Sequence, residues 1–262
     1  MSQYQEKATV VRIEKFANNN FRLTLDCPQI AANAQPGQFV MIHTGISKDP
    51  LLRRPFSIHQ TSYGGKIQIY FKVVGRGTTI LSQVKEDQEI PVLGPLGRGF
   101  TLNLDAPAVI VGGGLGIAPM LFLAKENCRL KRNSSDDVVL LGARDKSELA
   151  PLLADFKQLG IRFLTATDDG SLGHHGFVTE IMKSVDMPSG TTVYACGPEP
   201  MMAGIYRICK SQNIPCQVSV ESAMACGMGA CLGCSRPAKD GGYTHVCLNG
   251  PVFDAEELLW SL

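Results

Sequence analysis

The sequence lacks the long apolar run that a membrane-spanning helix needs. No window of about 18 consecutive apolar residues occurs, and the opening stretch MSQYQEKATVVRIEKF has no apolar core of signal-peptide length. Neither sign of charge is in excess, since 25 Lys and Arg residues balance 24 Asp and Glu residues. We therefore expect a cytoplasmic protein that binds neither membrane nor nucleic acid.

The nine cysteines are interpreted through this expected compartment. A cytoplasmic chain keeps its thiols reduced, so a disulfide framework is not expected. Isolated cysteines usually act as small buried hydrophobic residues. We predict that role for four of the five scattered cysteines, which are Cys27, Cys128, Cys209 and Cys216.

The pattern of apolar residues changes twice along the chain. Short β-rich runs separated by turn residues extend to about Leu104 and predict an antiparallel barrel. Apolar strands then alternate with helical stretches, which predicts a parallel sheet with crossover helices. The tail returns to Gly, Cys and Pro with little periodicity, as in a lobe that folds around a cofactor. The fold class is therefore mixed β and α/β, with predicted domains at 1–104, 105–218 and 219–262.

Four cysteines near the C-terminus have the spacing of metal ligands. The stretch CGMGACLGC has the form C-x4-C-x2-C, and a further cysteine follows it, so the predicted ligands are Cys226, Cys231, Cys234 and Cys247. This spacing is typical of plant-type [2Fe–2S] proteins. Glycines in the x4 gap would let the loop direct backbone N–H groups at the sulfurs. A structural zinc site and unliganded thiols are the alternatives.

A glycine-rich turn follows the apolar strand AVIV. Its glycines are Gly112, Gly113, Gly114 and Gly116, and a helix is predicted to open at about Pro119. Such a turn lets the backbone approach a pyrophosphate, whose charge the helix N-terminus stabilises. The alternative is a tight strand-to-helix turn that holds no ligand.

Two acidic residues end the third strand of the predicted sheet. Asp168 and Asp169 lie where an adenosine ribose would bind, and carboxylates there accept hydrogen bonds from ribose hydroxyls and repel a 2′-phosphate. This favours NADH over NADPH. Arg144, after the second strand, either indicates the opposite preference or stacks on adenine.

Two further motifs lie in the predicted barrel. RRPFS places Arg54, Pro55, Phe56 and Ser57 at the start of a strand, and GRGTT places Gly77 and Thr78 at the start of a helix. An arginine, a hydroxyl and backbone donors are the groups that a dinucleotide pyrophosphate and an isoalloxazine ring use. Either motif alone is also compatible with a surface turn.

The order of four motifs points to a known superfamily. R-P-x-S, G-x-G-[TS], G-G-G-x-G-x-x-P and C-G-P-x-x-M occur in this order and resemble the ferredoxin–NADP reductase superfamily. The resemblance implies an FAD-binding barrel followed by a nicotinamide-binding domain. It also implies that Cys196 lies beside the nicotinamide as a catalytic residue and that Gly197 binds cofactor. The second flavin-contacting strand would contribute Tyr70, Phe71 and Lys72.

The C-terminal motifs narrow this resemblance. SVESAMACGMGACLGC and CLNGPVF resemble the electron transfer subunits of class B dihydroorotate dehydrogenase. The family implies that electrons pass between NAD(H) and a partner through FAD and a [2Fe–2S] cluster, in pyrimidine biosynthesis. The partner would be an FMN-containing dihydroorotate dehydrogenase catalytic subunit, in a heterotetramer with two copies of each chain. Asn249 and Ala223 depart from the family, which commonly has Asp and often a basic residue there.

Two other functions remain open at this point. The same modules occur in the reductase subunit of a sulfide dehydrogenase and in NADH-dependent ferredoxin–NADP oxidoreductases. A zinc-stapled binding module whose glycine turn holds no nucleotide is the alternative of another class.

Overall fold

The computed structural model describes residues 2–45, 49–131 and 135–260. These residues form two units. The barrel unit extends to Gly99 and includes Glu221–Arg236 and Thr244–Pro251, whereas the sheet unit comprises Phe100–Val220, Pro237–Tyr243 and the residues after Pro251. The predicted boundaries near 105 and 218, and the separate C-terminal lobe, stay predictions.

The barrel unit is built on a closed antiparallel barrel, as predicted. Its strands are β1 (Tyr4–Lys15), β2 (Asn20–Asp26), β3 (Phe39–Ile42), β4 (Arg54–Ser62), β5 (Lys66–Lys72) and β6 (Glu89–Leu96), with helices α1 (Pro28–Asn33) and α2 (Arg76–Leu81). The strand order is β1-β2-β5-β4-β3-β6, and β6 closes the barrel on β1. The sequence of β5 shows why this region forms a barrel strand. Ile67 and Ile69 are fully buried between polar neighbours, which is the alternation of a strand with one face in the core.

The sheet unit follows in the pattern of alternating strands and helices. Its elements are β7 (Ala108–Gly113), α3 (Ile117–Leu130), β8 (Val138–Ala143), α4 (Lys146–Gln158), β9 (Arg162–Thr167), β10 (His174–His175), α5 (Val178–Ser184), β11 (Thr192–Cys196), α6 (Glu199–Ser211) and β12 (Cys216–Ser219). All residues of β7, β8 and β11 are buried, as expected for central parallel strands covered by helices on both faces.

The chain after Val220 contributes short elements. These are β13 (Ser235–Pro237), β14 (Tyr243–His245), α7 (Val246–Asn249) and β15 (Val252–Asp254). β13 and β14 form a two-stranded sheet, and β15 pairs antiparallel with β12 at the edge of the large sheet, whose order is β10-β9-β8-β7-β11-β12-β15. No helix in the described parts of the chain is long and apolar enough to cross a membrane.

The strand order of the sheet unit creates a switch point. β8 follows β7 on one side, whereas β11 pairs with β7 on the other side. In open parallel sheets, ligands bind outside the carboxyl ends of the strands at such a point. The ends of β7, β8, β9 and β11 therefore mark the candidate nucleotide site of this unit.

The scattered cysteines largely follow their predicted role. Cys27, Cys209 and Cys216 are buried, and Cys128 is half-buried. Burial, assisted by the charges of Glu6 and Asp26, raises the pKa of the Cys27 thiol to about 12. These thiols are therefore packing groups rather than reactive ones.

Candidate functional site

β4 and β5 part from each other where both flavin motifs lie. Their pairing starts at Ile58 opposite Ile69, whereas the four residues from Arg54 to Ser57 pair with β3. The end of β5, from Tyr70 to Lys72, pairs with β2. The flavin motifs therefore lie where β4 and β5 are not paired with each other. The Phe56 and Phe71 rings meet edge to face, with centroids 5.6 Å apart.

The predicted flavin-contacting residues differ in accessibility. Arg54, Pro55, Phe56 and Ser57 are half-buried, so each presents atoms that a ligand can reach. Tyr70 and Phe71 are buried, and Phe71 stacks on Phe21. Lys72 is half-buried at the end of β5. This region therefore combines buried aromatic residues of β5 with accessible side chains of β4, and such groups suit a flat ring with polar edges.

A compact corner joins the two barrel motifs at the start of β4. A Cβ on Gly77 would lie 3.1 Å from Arg54 Nε and 3.4 Å from Thr44 Oγ1. Arg54 Nη1 donates to the carbonyl of Leu52 at 2.8 Å, which anchors the guanidinium over α2. A Cβ at this position would be tight against both side chains, so glycine favours the close approach, and Arg54 and the first turn of α2 form one cationic corner. Its donors fit a pyrophosphate.

Thr44 belongs to this corner, although its role was missed at the sequence level. Its side chain is only 3% exposed, and its Oγ1 is buried without a hydrogen-bond partner. A buried hydroxyl without a partner is costly and points to a group that the site holds when loaded. No motif marks Thr44, because its proximity to Gly77 depends on how the chain folds between β3 and α2.

The Thr78 hydroxyl is engaged within its own turn. It accepts from the backbone N–H groups of Val74 at 2.9 Å and Gly75 at 3.1 Å, and it donates to the Gly75 carbonyl at 2.9 Å. The side chain therefore holds the shape of the glycine turn. A contribution of Thr78 to phosphate binding would come from its backbone.

The four cysteines of the C-terminal motif lie in two pairs. Cys231 N–H points to Cys226 Sγ at 3.4 Å, and the Sγ atoms of Cys234 and Cys247 are 3.2 Å apart. Within the described residues, no three or more His, Cys, Asp and Glu side chains lie close enough together to hold a single metal ion. A zinc site needs four ligands around one ion, whereas a [2Fe–2S] cluster takes two thiolates on each iron. The paired arrangement fits the cluster.

Backbone N–H groups point at the cysteine sulfurs, as predicted from the glycines of the loop. Gly229 N–H donates to Cys247 Sγ at 3.1 Å and Met228 N–H to Cys226 Sγ at 3.4 Å; Gly229 has a φ of 83°. Burial works to raise the pKa of Cys226, but the hydrogen bonds from Met228 and Cys231 outweigh it and lower this pKa to about 6. Such bonds favour thiolates and tune cluster potentials.

The cysteine loop packs on the barrel beside the flavin strand. A Cβ on Gly227, which has a φ of 75°, would lie 2.6 Å from Met41 Cγ on β3. At the other end of the motif, Arg98 N–H donates to the Gly250 carbonyl at 2.6 Å. Met41 is directly opposite Pro55 in the β3–β4 ladder. One strand, β3, therefore contacts the cysteine loop and pairs with the strand that carries the flavin motif.

Asn249, which replaces the Asp common in the family, makes a hydrogen bond that an Asp could also make. Asn249 Oδ1 accepts from His245 N–H at 3.0 Å, one turn back in the chain. A carboxylate would accept the same bond with an added negative charge close to Cys247. The other departure, Ala223, is exposed.

In the sheet unit, the glycine turn and the C-G-P motif form one surface. Gly112 pairs with Cys196 in the ladder, and its Cβ position lies 2.9 Å from Ile117 Cα. A Cβ on Gly116 would collide with the Cys196 carbonyl. Gly114 has a φ of 56° and open space at its Cβ position. Glycine is therefore required for packing at Gly112 and Gly116, and at Gly114 the backbone is open to a ligand.

Cys196 lies at the carboxyl end of β11, at the switch point. Its side chain is 4% exposed. The following residue, Gly197, has Met201 against its Cβ position, and so does Gly113 of the glycine turn. Met201 therefore packs between the C-G-P-x-x-M motif and the turn after β7. This contact explains why the motif has Met at this position.

Acidic groups dominate the ends of β8 and β9. Asp168 is exposed, and its N–H donates to the Ala143 carbonyl at 3.1 Å. Hydrogen bonds from the Ser171 side chain and backbone lower the pKa of Asp169. Arg144 forms an ion pair with Glu148, and this bond raises the pKa of Arg144. Asp168 is therefore accessible at the carboxyl end of β9, and its role at a ribose stays a prediction.

Three families of protein domains match consecutive parts of the chain. Residues 7–100 match an oxidoreductase FAD-binding domain and residues 110–207 an oxidoreductase NAD-binding domain. Residues 221–259 match the iron–sulfur cluster binding domain of dihydroorotate dehydrogenase B. The predicted cofactors FAD, NAD(H) and an iron–sulfur cluster are confirmed by these matches, and the chain is an oxidoreductase.

Known proteins resemble the chain over nearly its full length. The dihydroorotate dehydrogenase B (NAD(+)) electron transfer subunit of Desulforamulus reducens is 42% identical, with 97% of each chain covered. The subunit of the same name from Geobacillus thermodenitrificans is 37% identical, with 97% of this chain and 98% of that one covered.

Solved structures extend the comparison. A structure of NADH-dependent reduced ferredoxin–NADP oxidoreductase superposes with a TM-score of 0.86 at 30% identity, covering 97% of this chain and 90% of that one. A ferredoxin–NADP⁺ reductase from Neisseria gonorrhoeae, at 16% identity and a TM-score of 0.65, shares the fold over 79% of this chain and 91% of its own. On the level of identity and coverage to its named relatives, the chain belongs to the family of dihydroorotate dehydrogenase B (NAD(+)) electron transfer subunits.

Proposed function

We propose that this chain carries electrons between NAD(H) and an FMN-containing catalytic subunit that oxidises dihydroorotate, within pyrimidine biosynthesis. One observation carries the proposal: the cysteine loop packs on β3, the strand that pairs with the flavin motif of β4. When bound, FAD takes up an electron pair as hydride and releases electrons singly, and a [2Fe–2S] cluster carries them one at a time. The chain would then convert paired into single electrons.

The barrel unit would hold the FAD. Arg54 and the backbone of Gly77 and Thr78 would bind the pyrophosphate at the cationic corner. The region where β4 and β5 are unpaired would bind the ring. The Ser57 hydroxyl would provide a polar contact, and further contacts would come from Pro55, Phe56, Tyr70, Phe71 and Lys72.

The four cysteines would hold the cluster as two pairs. Cys226 and Cys231 would bind one iron, and Cys234 and Cys247 the other, in agreement with their contacts. Backbone N–H groups already directed at the sulfurs would need no rearrangement on loading.

The sheet unit would bind NAD(H) at the switch point. The turn from Gly112 through Gly113 and Gly114 to Gly116 would approach the pyrophosphate, and Asp168 would accept from the ribose. The catalytic contact would be made by Cys196, with Gly197 beside it, at the nicotinamide. Cys196 is only 4% exposed, so its side chain would pack at the nicotinamide site and would not act as a nucleophile.

The partner would dock where the cluster loop reaches the surface. Cys231 is exposed, and so are the apolar side chains of Met228, Leu232 and Leu248 on the same loop and helix. Exposed apolar residues around a redox centre favour a protein partner. Two copies of each chain would form a heterotetramer. We also propose a cytoplasmic location, where thiols stay reduced and able to bind a cluster.

Co-purification tests this proposal. The tagged chain, expressed in its natural host, is expected to bring down an FMN protein, and the complex is expected to reduce NAD⁺ with dihydroorotate. The expected mass is that of two copies of each chain. A complex that carries the partner but never couples dihydroorotate to NAD⁺ would overturn the proposed reaction.

A second function is favoured by the solved structure with a TM-score of 0.86. That protein is an NADH-dependent reduced ferredoxin–NADP oxidoreductase, so the chain would serve a ferredoxin-linked complex instead. Reduction of NAD⁺ by reduced ferredoxin, with no activity toward dihydroorotate, would select this function.

A further inference from the structure

Arg144 occupies a position that usually selects between the two nicotinamide dinucleotides. It directly follows β8, which pairs with β7, the strand that ends in the glycine turn. At the end of this second strand, an acidic residue hydrogen-bonds the ribose 2′-hydroxyl, whereas a nearby arginine accommodates a 2′-phosphate. Arg144 considered alone would therefore indicate NADP(H), in conflict with the neighbouring Asp168.

Glu148 resolves this conflict because its carboxylate binds the Arg144 guanidinium. The carboxylate of Glu148 accepts from Arg144 Nη2 through one oxygen and from Arg144 Nε at 3.3 Å through the other. The second oxygen also receives the Arg144 backbone N–H at 3.4 Å. This fork-to-carboxylate arrangement uses the donors that a phosphate would otherwise take.

The position of Glu148 is itself well determined. Its side chain is 12% exposed, whereas that of Arg144 is 67% exposed. Asp145 caps α4 by accepting from Ser147 N–H at 2.8 Å and Glu148 N–H at 3.1 Å, which holds the first turn of the helix. The carboxylate is therefore the fixed partner, and the arginine is drawn to it.

The surrounding charge opposes a further anion. Asp169 N–H donates to the Arg144 carbonyl at 3.2 Å, so the loop after β9 lies against Arg144. Four carboxylates, Asp145, Glu148, Asp168 and Asp169, thus lie on the first turn of α4 and the loops after β8 and β9, against the two cations Arg144 and Lys146. A 2′-phosphate would add a charge of about −2 to this excess of negative charge.

We infer that Glu148 is a specificity-determining residue, which excludes 2′-phosphorylated nucleotides by holding Arg144. The inference rests on the proposed function in that it takes this edge of the sheet as the adenosine site. Without Glu148, Arg144 would be available to bind a 2′-phosphate. The Glu148 side chain would therefore decide whether the site prefers NADH or NADPH.

The test compares Glu148→Gln with wild type, using 2′,5′-ADP and 5′-ADP as probes in calorimetry. Glutamine keeps the shape and removes the charge. We expect the affinity for 2′,5′-ADP relative to 5′-ADP to rise about tenfold, and the NADPH-to-NADH ratio of kcat/KM with a dye acceptor to rise in parallel. In the double variant Glu148→Gln/Arg144→Ala, the gain is expected to disappear. Because the Arg144 side chain is 67% exposed, the ion pair contributes little to stability, so the variant should fold, which its melting temperature checks.

The outcomes separate the inference from the proposed function. An unchanged probe ratio in a folded Glu148→Gln variant overturns the inference, and so does a gain that persists without Arg144. Wild-type protein that binds neither 5′-ADP nor NADH overturns the nucleotide site and the inference with it. Wild-type binding of NADH with no gain in the variant overturns the inference alone.

Discussion

Met41 on β3 and Gly227 in the cysteine loop are in direct contact. A Cβ added to Gly227 would lie 2.6 Å from Met41 Cγ and 3.1 Å from Met41 Sδ, and Met41 is fully buried. The loop therefore approaches the barrel at Gly227, where no side chain is present to clash with Met41. Because Met41 is opposite Pro55 in the ladder, this contact sets the position of the cluster loop relative to the flavin strand.

Gly227→Ala is expected to displace the cysteine loop. The substitution adds a side chain at a φ of 75°, at a cost of about 1–2 kcal/mol, and also a clash with Met41. We expect a fall in iron and acid-labile sulfide per chain. Gly241→Ala is the matched control, since Gly241 has a φ of 84° and nothing within 4 Å of its Cβ position. Equal iron loss in both variants would contradict the role of the contact.

Cys231→Ser is expected to remove the cluster and spare the flavin. Cys231 is exposed in the loop, so serine should fit without repacking, and a hydroxyl is a poor ligand for iron. We expect loss of the iron–sulfur absorbance, while NADH still bleaches the flavin. Cys128→Ser, a half-buried thiol outside the motif, serves as the control. Simultaneous loss of NADH oxidation with dye acceptors would mean that the two centres are not separable.

The Thr44 hydroxyl is expected to matter more than the Thr44 methyl group. Thr44→Val keeps the volume and removes the unpartnered Oγ1, whereas Thr44→Ser keeps the hydroxyl. Loss of one hydrogen bond costs about 0.5–1.5 kcal/mol, or roughly twofold to more than tenfold in FAD affinity. Flavin fluorescence during dialysis measures retention, with Arg54→Ala as the reference for a disrupted corner. Weaker binding in the serine variant than in the valine variant would show that Thr44 acts by packing.

Gly116→Ala is expected to weaken NADH binding selectively. Its Cβ would collide with the Cys196 carbonyl and so push the C-G-P motif from the glycine turn. We expect NADH affinity to fall at least tenfold, with FAD and iron contents unchanged. Gly204→Ala on α6 is the control, because its Cβ meets only Thr179 Cγ2 at 3.4 Å. Normal NADH binding by Gly116→Ala would argue against a nucleotide site at this turn.

The architecture could be predicted from the sequence because the spacing of apolar residues along the chain indicates which residues are buried. The β-rich runs became a closed barrel, and the strand–helix alternation became a parallel sheet. The helix expected from about Pro119 begins at Ile117. Local motifs also indicated the four candidate ligand cysteines, since three of them and the glycines lie in one short stretch, but the motifs did not predict how the cysteines pair.

Contacts between distant segments could not be predicted in this way. The contact of Met41 with Gly227 joins residues far apart in the sequence, and Thr44 carries no motif. The ion pair of Arg144 with Glu148 has a common helical spacing that any surface helix shows, so its meaning depends on where β8 ends in the sheet. Tertiary placement, rather than residue type, gives these groups their roles.

Anaerobic addition of NADH to the purified chain, followed by electron paramagnetic resonance of the cluster, tests the central claim most directly. The account predicts that NADH reduces the cluster in wild-type protein, and that Arg54→Ala protein depleted of FAD shows no such signal although dithionite still produces it. A cluster that dithionite reduces but NADH never does, in protein that retains its flavin, would contradict the account.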